Sequence, residues 1–384
     1  MKIEPFRIDY PQSALDDLQQ RLSRTRWPQT VSGDDWQYGA SSEYLQELVK
    51  YWAKGFDWRK QEERLNRFPH YRMEIDGLRI HFIHQQSANE KAIPLIITHG
   101  WPGSFVEMLD ILPLLQKDFH VVVPSLPGYG FSDAARVEGM HPRKIASLWV
   151  SLMTALGYHR FIAQGGDWGA TVSTWLGIDY PQNVAGIHLN YIPGSYRPFI
   201  EDDSSLSEAE KEFIRQQNEW MQEEGAYNHL QATRPLTVAY ALNDSPAGLA
   251  AWIVEKIRSW SDCKGDVESR FSKDAILTNI QIYWLTGTIY SSMRLYAEAK
   301  KMAVKLVAGQ RIDRPCAIAR LPLEAPMPPR EWVERGYNVQ RWTPFPSGAH
   351  FAAWEEPQLL AKDLHESAPL LWEATAGSRQ PERG

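Results

Sequence analysis

The spacing of hydrophobic residues changes along the chain, and in the first part it is helical. Over 14–25 three leucines fall on one face of a predicted helix that Ser13 caps, and over 42–54 the same spacing predicts a second helix. Each helix has one apolar face and therefore needs another surface to cover it. We predict that residues 1–72 form an N-terminal extension that packs on the core.

After this part the hydrophobic residues occur in short runs that alternate with helical segments. The predicted helices lie at 140–156 and from Ala170 onwards, and the predicted strands lie at 78–84, 93–98, 119–123, 160–164 and 184–190. Short apolar strands separated by helices are typical of a largely parallel sheet, with functional loops at the carboxyl ends of the strands. Residues 73–190 are therefore predicted to form the first part of an α/β core.

The pattern becomes mostly helical again between 191 and 309. Helices are predicted at 207–224, 247–260 and 273–305, before strands return at 315–321 and 337–344 and a last helix starts near Pro357. A helical block that interrupts an α/β pattern is typical of a cap inserted above the sheet. We predict that 191–309 is this cap and that 310–384 completes the core.

Composition narrows the classes of function. The length of 384 residues suits one catalytic domain with insertions, and a net charge of -6 offers no basic surface for nucleic acid or anionic lipid. Cys263 and Cys316 are too few for a disulfide framework and fit a reducing compartment. The chain shows no secretory signal and no run of about 18 apolar residues, so we expect a cytoplasmic protein without a membrane anchor. The 16 Trp and 16 Tyr residues fit either an aromatic core or a ring-lined pocket for a lipophilic substrate.

The strongest chemical signal is the segment GGDWG at 165–169, between a predicted strand and a predicted helix. Its spacing, G-x-Nu-x-G, is that of the nucleophile elbow of α/β hydrolases, with Asp167 at the apex. A serine that attacked a saturated carbon would form a stable ether, whereas a carboxylate forms an ester that water can cleave. Asp167 as nucleophile therefore indicates an electrophilic sp3 carbon, as in an epoxide or an alkyl halide.

The cleavage of such an ester needs a base and an acid that orients it. In α/β hydrolases the base follows the other two triad residues along the chain, and His350 occupies that place, on a loop after the last predicted strand. Glu324, at the end of the preceding strand, is a candidate for the acid that holds the imidazole. Asp313 and Glu331 compete with it by position alone.

An oxyanion hole is predicted beside the elbow. The backbone N–H groups of Trp101, in the segment HGWP at 99–102, and of Trp168, directly after the nucleophile, are positioned to bind a developing oxyanion. We interpret the side chain of His99 as structural.

Taken together, these segments resemble the epoxide hydrolase family, in its microsomal-type branch with an N-terminal extension. The resemblance covers nearly the whole chain. It is carried by LSRTRWP at 22–28, HGWPGS at 99–104, GGDWG at 165–169 and GAHFAA at 348–353. It implies an α/β-hydrolase fold and the conversion of an epoxide and water to a vicinal diol.

The resemblance also implies three residue roles. The segment LPLE at 321–324 matches the one that carries the acid of the family, which favours Glu324. Tyr227 and Tyr296 match the two cap tyrosines that polarise the epoxide oxygen and then protonate it. The substrates implied are a small-molecule epoxide and water, with no cofactor and no metal, and a homodimer is an open expectation.

Two other interpretations remain to be weighed. A haloalkane or haloacid dehalogenase shares the aspartate nucleophile, but the tyrosine pair and the N-terminal extension argue against it. A non-catalytic protein that keeps the fold as a ligand cup is disfavoured because nucleophile, base, acid and tyrosines are all present.

Overall fold

A mixed sheet forms the centre of the computed structural model, which describes residues 2–31, 33, 35–324 and 326–373. In these residues nine strands pair in the order β1-β2-β3-β5-β4-β6-β7-β8-β9. The strands are β1 (Ile3–Pro5), β2 (His70–Ile75), β3 (Leu78–Gln85), β4 (Ile93–Thr98), β5 (Phe119–Pro124), β6 (Phe161–Gly165), β7 (Val184–Leu189), β8 (Ile312–Arg320) and β9 (Tyr337–Pro344). In the order of the sheet, the strands from β5 through β4 to β9 pair in parallel. At the other edge β1 pairs antiparallel with β2, β2 with β3, and β3 with β5. The central strands are almost entirely buried, as expected for parallel strands covered on both faces.

Helices cover the sheet and form the block above it. Those of the extension and the core are α1 (Gln12–Ser23), α2 (Ser42–Lys54), α3 (Trp58–Leu65), α4 (Leu112–Leu115), α5 (Pro142–Ala155) and α6 (Asp167–Asp179). The inserted block contains α7 (Glu208–Glu223), α8 (Ala226–Thr233), α9 (Pro235–Leu242), α10 (Pro246–Ser259), α11 (Lys273–Thr286) and α12 (Ile289–Ala299). The chain then returns to the core with α13 (Arg330–Glu334), α14 (Ala352–Glu355) and α15 (Pro357–Glu373). The predicted α/β-hydrolase fold, with its inserted helices, is confirmed.

Several predicted boundaries were wrong, each for a local reason. Helix α1 begins at Gln12 with Pro11 at the cap position, so Ser13 lies inside the first turn and does not cap the helix. The single helix predicted over 273–305 is two helices, because Gly287 has a φ of 62° and ends α11 in the left-handed conformation. Helix α6 begins at Asp167 and not at Ala170, so the nucleophile candidate is itself the first helical residue. The residues 374–384 of the predicted core lie outside the described ones.

The N-terminal extension contacts the inserted helices as well as the sheet. Strand β1 pairs with β2 at the sheet edge, whereas α1 and α2 pack on α10, and α2 also packs on α11. The indole N–H of Trp52 donates to Gln281 Oε1 at 2.7 Å, and both side chains are buried. The hydroxyl of Tyr51 donates to Asp274 Oδ1 at 2.8 Å. The extension therefore braces α11 from outside.

Candidate active site

The elbow forms where β6 turns sharply into α6. Asp167 has a φ of 45°, which is a strained conformation for a residue with a side chain. A Cβ atom at Gly169 would overlap the carbonyl oxygen of Thr98, and one at Gly165 would overlap the backbone of Gly169. The turn therefore closes only with glycine at both positions, as the sequence pattern predicted, and it lifts the carboxylate above the sheet edge.

His350 lies between Asp167 and Glu324. Its Nδ1 is 3.1 Å from both carboxylate oxygens of Glu324, and its Nε2 is 3.6 Å from Asp167 Oδ2. The shorter contacts fix the ring and leave Nε2 free to face the nucleophile candidate.

The surroundings of His350 favour its protonated form. Burial of the imidazole works against the charge, but the negative charges of Glu324 and Asp167 and the hydrogen bond to Glu324 outweigh it. The pKa of His350 is therefore raised well above its ordinary value. A base in this environment holds tightly the proton that it takes up.

The structure separates Glu324 from the two acids that competed with it in the sequence. The side chain of Glu324 is 4% exposed and contacts the imidazole, whereas Asp313 is exposed at the start of β8. Glu331 is also exposed, on α13, where it accepts a hydrogen bond from Ser207. Glu324 is the one of the three that lies beside His350.

The predicted oxyanion donors lie at the nucleophile candidate. The backbone N–H of Trp101 donates to Asp167 Oδ1 at 2.8 Å. The N–H of Trp168 belongs to the first turn of α6, where backbone N–H groups have no partner within the helix. The side chain of His99 bonds elsewhere, to the N–H of Leu126 and the carbonyl of Gly100, and burial lowers its pKa to about 4.

The two candidate tyrosines come together above this carboxylate, from different helices. Tyr227 is on α8 and Tyr296 is on α12, and their ring centroids are 5.9 Å apart. Trp101 stacks on the first ring at 5.3 Å and meets the second edge-on. Burial raises the pKa of both phenols well above the usual range, and the charge of Asp167 raises it further. Both groups therefore stay protonated and can act as O–H donors.

A cavity of about 360 Å³ leads to this group of residues. Asp167, Tyr227 and His350 line it, together with aromatic and apolar side chains such as Phe213 and Trp332 and with polar ones such as Asn218. Its volume lies within the range of about 300 to 1,000 Å³ that is usual for small-molecule sites. The cavity suits a compact molecule that has both apolar and polar parts.

A second, much smaller cavity touches the same carboxylate and was not foreseen from the sequence. It has a volume of about 20 Å³ and is lined by Asp167, His350, Glu107 and Gln164, among others. The Oε1 atom of Gln164 is buried without a hydrogen-bond partner in the described residues. A polar space of this size holds one water molecule. Glu107 lies in an otherwise apolar stretch soon after the segment at 99–104, and this was the available clue.

The described residues contain no group of three or more His, Cys, Asp or Glu side chains arranged to hold a metal ion. No helix among them has both the length and the apolar character needed to cross a membrane.

An α/β hydrolase with a carboxylate at its elbow is the class of protein that this fold and this site define. Residues 3–108 match the family model described as "Epoxide hydrolase N terminus", and residues 93–250 match "alpha/beta hydrolase fold". The chain belongs to the epoxide hydrolase family and is an enzyme that acts on a small-molecule epoxide and water.

Individual relatives agree over nearly the whole chain. A protein of Stigmatella aurantiaca, provisionally named as an epoxide hydrolase, is 45% identical over 95% of this chain and 84% of its own. Epoxide hydrolase 1 of Oryctolagus cuniculus is 38% identical over 94% of this chain and 88% of its own. The structure of the Aspergillus niger epoxide hydrolase superimposes with a TM-score of 0.86 at 33% identity, over 97% of each chain.

Proposed function

We propose that this enzyme hydrolyses lipophilic epoxides through an ester formed on Asp167. The observation that carries the proposal is the arrangement around that carboxylate: one oxygen accepts the N–H of Trp101, and the other faces His350. The aromatic side chains in the wall of the larger cavity, among them Phe213, Trp220 and Trp332, support a substrate with a lipophilic part.

In the first step one carboxylate oxygen of Asp167 attacks an epoxide carbon. The C–O bond to that carbon breaks, and its electron pair moves to the epoxide oxygen. Tyr227 and Tyr296 donate hydrogen bonds to this oxygen, and one of the phenols gives it a proton. The product is a hydroxyalkyl ester on Asp167.

In the second step a water molecule attacks the carbonyl carbon of the ester. The ester has removed the charge of Asp167, one of the two negative charges that raise the pKa of His350, so the neutral imidazole takes the proton of this water, and Glu324 stabilises the resulting imidazolium. The N–H groups of Trp101 and Trp168 bind the oxyanion of the tetrahedral intermediate. When that intermediate collapses, its bond to the alkyl oxygen breaks, and this oxygen takes the proton of the hydroxyl group that came from water, so the diol leaves and Asp167 is again a carboxylate. The carboxylate keeps one oxygen from water, and the imidazolium proton returns to the phenolate through the site.

The test is to trap the ester. His350→Gln removes the base but leaves the nucleophile, so a 1,2-epoxide with an aryl or alkyl chain should add its mass to the peptide that contains Asp167. Asp167→Asn should show no adduct and a turnover lower by orders of magnitude, since an amide is a poor nucleophile. Absence of the adduct over a panel of such epoxides, or label from heavy-oxygen water appearing directly in the diol in a single turnover, would refute the proposal. An alkyl halide run in parallel separates it from the dehalogenase interpretation, which requires halide release without diol.

Three further expectations belong with this proposal. The first is the division into an extension (1–72), a core (73–190 and 310–384) and a cap (191–309). Limited proteolysis that cuts mainly inside the cap helices would contradict it. The second is a homodimer, which light scattering after gel filtration tests. The third is a cytoplasmic location, which cell fractionation tests.

A further inference from the structure

Two backbone N–H groups of the loop that carries His350 donate hydrogen bonds to the cap. The N–H of His350 donates to the carbonyl of Trp260 at 3.0 Å, and the N–H of Gly348 donates to Asp262 Oδ2 at 3.1 Å. Trp260 and Asp262 directly follow α10, so they belong to the inserted block and not to the core. The position of His350 therefore depends on a segment of the cap.

A carboxylate of α14 binds both sides of this junction. Glu355 Oε1 accepts the N–H of Phe351 at 3.0 Å, and its Oε2 accepts the N–H of Asp262 at 2.7 Å. The guanidinium of Arg270 also joins the two sides: its Nη2 is 2.8 Å from Asp262 Oδ2, and its Nη1 is 3.1 Å from Glu356 Oε1. We call these bonds between the cap and the His350 loop the connection. Gly348 before His350 and Phe351 after it thus each donate a backbone N–H to a carboxylate.

These groups are largely buried. Glu355 is 8% exposed. Burial raises its pKa to about 7 although two N–H groups and Arg270 favour the ionised form, so Glu355 is charged mainly above that pH. Burial also opposes the charge of Asp262, but the N–H of Gly348 and the guanidinium of Arg270 outweigh it and lower the pKa of that carboxyl. Charged acceptors form stronger hydrogen bonds than neutral ones, so the junction is held most firmly when both carboxyl groups are ionised.

The loop requires glycine close to His350. Gly348 has a φ of 96°, and a Cβ atom there would crowd Glu356 and Leu321. Because glycine adds no stiffness of its own to the backbone, the hydrogen bonds on either side set the direction in which the imidazole leaves the loop.

We propose that Asp262, Arg270 and Glu355 are positioning residues that hold His350 in line with the ester and so determine the rate of its hydrolysis. The inference rests on the proposed function, because it assigns different groups to the two steps. Formation of the ester uses Asp167 and the two tyrosines, and none of these forms a hydrogen bond with Asp262, Arg270 or Glu355 in the described residues. Tyr227 does pack on the ring of Trp260, with 5.0 Å between the ring centroids. Cleavage of the ester uses His350, which lies on the loop that these residues hold.

The test measures the two steps separately in Asp262→Asn and Glu355→Gln. Both substitutions keep the shape of the side chain and remove its charge. We expect the single-turnover rate of ester hydrolysis to fall about 10-fold to 100-fold, since a shift of the base by a fraction of an ångström has effects of this size. The rate of ester formation should change by less than about 3-fold, so the ester should accumulate on the variants during turnover.

Asp133→Asn is the matched control. Asp133 also accepts a backbone N–H and a guanidinium, both from Arg79, but it lies on the other side of the core from the His350 loop in the sheet order. It should leave both rates unchanged. Thermal unfolding of all three variants shows whether they are folded at the assay temperature.

The outcomes are distinct. Slower hydrolysis with normal ester formation in both variants, and neither effect in the control, supports the inference. Unchanged hydrolysis in the folded variants, or a parallel fall of both steps, overturns it. If the wild-type enzyme forms no ester at all, the proposed function itself fails and the inference fails with it.

Discussion

Glu107 is a carboxyl group that the folded protein holds in its neutral form. It is 6% exposed and lines the small cavity beside Asp167. Its pKa is raised from 4.5 to about 8, mainly by burial; the positive charge of His350 opposes this shift and the negative charge of Asp167 adds to it. The perturbation we consider is Glu107→Gln, which keeps the shape of the side chain and cannot ionise.

The magnitude follows from the two pKa values. Between pH 4.5 and about 8 the unfolded chain loses this proton while the folded chain keeps it. Each pH unit in this interval lowers the free energy of unfolding by about 1.4 kcal/mol, because the folded state binds more protons than the unfolded state. Over the whole interval the loss amounts to as much as about 5 kcal/mol. Glu107→Gln should therefore match the wild type in acid and become progressively more stable than it as the pH rises.

The assay is urea unfolding of both proteins at a series of values from about pH 5 to about pH 9. The difference in free energy of unfolding should grow through this range and level off at its upper end. Glu90→Gln is the control, because it makes the same chemical change at an exposed position. A difference for Glu107→Gln that is constant with pH, or that shrinks as the pH rises, would refute the reasoning.

Three other predictions concern the tyrosines, the triad acid and the extension. Tyr227→Phe or Tyr296→Phe alone should lower the rate of ester formation by about 10-fold to 100-fold, and the double change by about 1,000-fold or more, since the phenols share one oxygen. Equal and complete loss from either single change, in stopped-flow measurements, would contradict shared activation. Glu324→Gln should slow ester hydrolysis by about 100-fold to 10,000-fold with little effect on ester formation, because it removes the charge that orients and stabilises the imidazolium. Rapid-quench analysis should show the ester accumulating, and diol formation at the wild-type rate would argue against this role. Trp52→Phe should lower the free energy of unfolding by about 1 to 3 kcal/mol in urea titration, because it leaves the buried Oε1 of Gln281 without its donor. A change below about 0.5 kcal/mol would mean that the bond contributes nothing net.

The sequence predicted best those features that depend on a few neighbouring residues. The elbow is one, because a tight turn between a strand and a helix requires glycine on both sides of the apex, whatever surrounds it. The central strands are another, since strands buried on both faces are short runs of apolar residues. Residue type alone could not choose among Asp313, Glu324 and Glu331. That choice depends on which acid the fold buries beside His350, and only the resemblance to a family favoured Glu324 in advance.

Features that depend on distant parts of the chain were missed. Strands β1 and β2 are at the sheet edge, where partial exposure weakens the hydrophobic pattern. Glu107 and Gln164 line one cavity although they are far apart in sequence, and neither has a local pattern that indicates chemistry. Glu355 follows His350 by only five residues in the sequence. Its hydrogen bond to Asp262 joins two parts of the chain that are 93 residues apart, so no spacing rule can predict it.

Helix α11 shows how the extension, which lies outside the site, is connected to it. Asn279 and Tyr283 are one turn apart and therefore lie on one face of the helix. From this face Asn279 donates to the carbonyl of Pro102 at 2.8 Å, and Tyr283 donates to the carbonyl of Gly103 at 2.7 Å.

These carbonyls belong to the loop that presents the N–H of Trp101 to Asp167. Gln281 is two residues from both Asn279 and Tyr283, about half a turn of the helix, and so lies on the opposite face. There its Oε1 accepts the indole N–H of Trp52 of the extension. One buried helix thus contacts the loop of Trp101 on one face and the N-terminal extension on the other. We expect Trp52→Phe to slow ester hydrolysis, the step in which the N–H of Trp101 binds the oxyanion, and rapid-quench measurement of this rate in the variant and the wild type checks it.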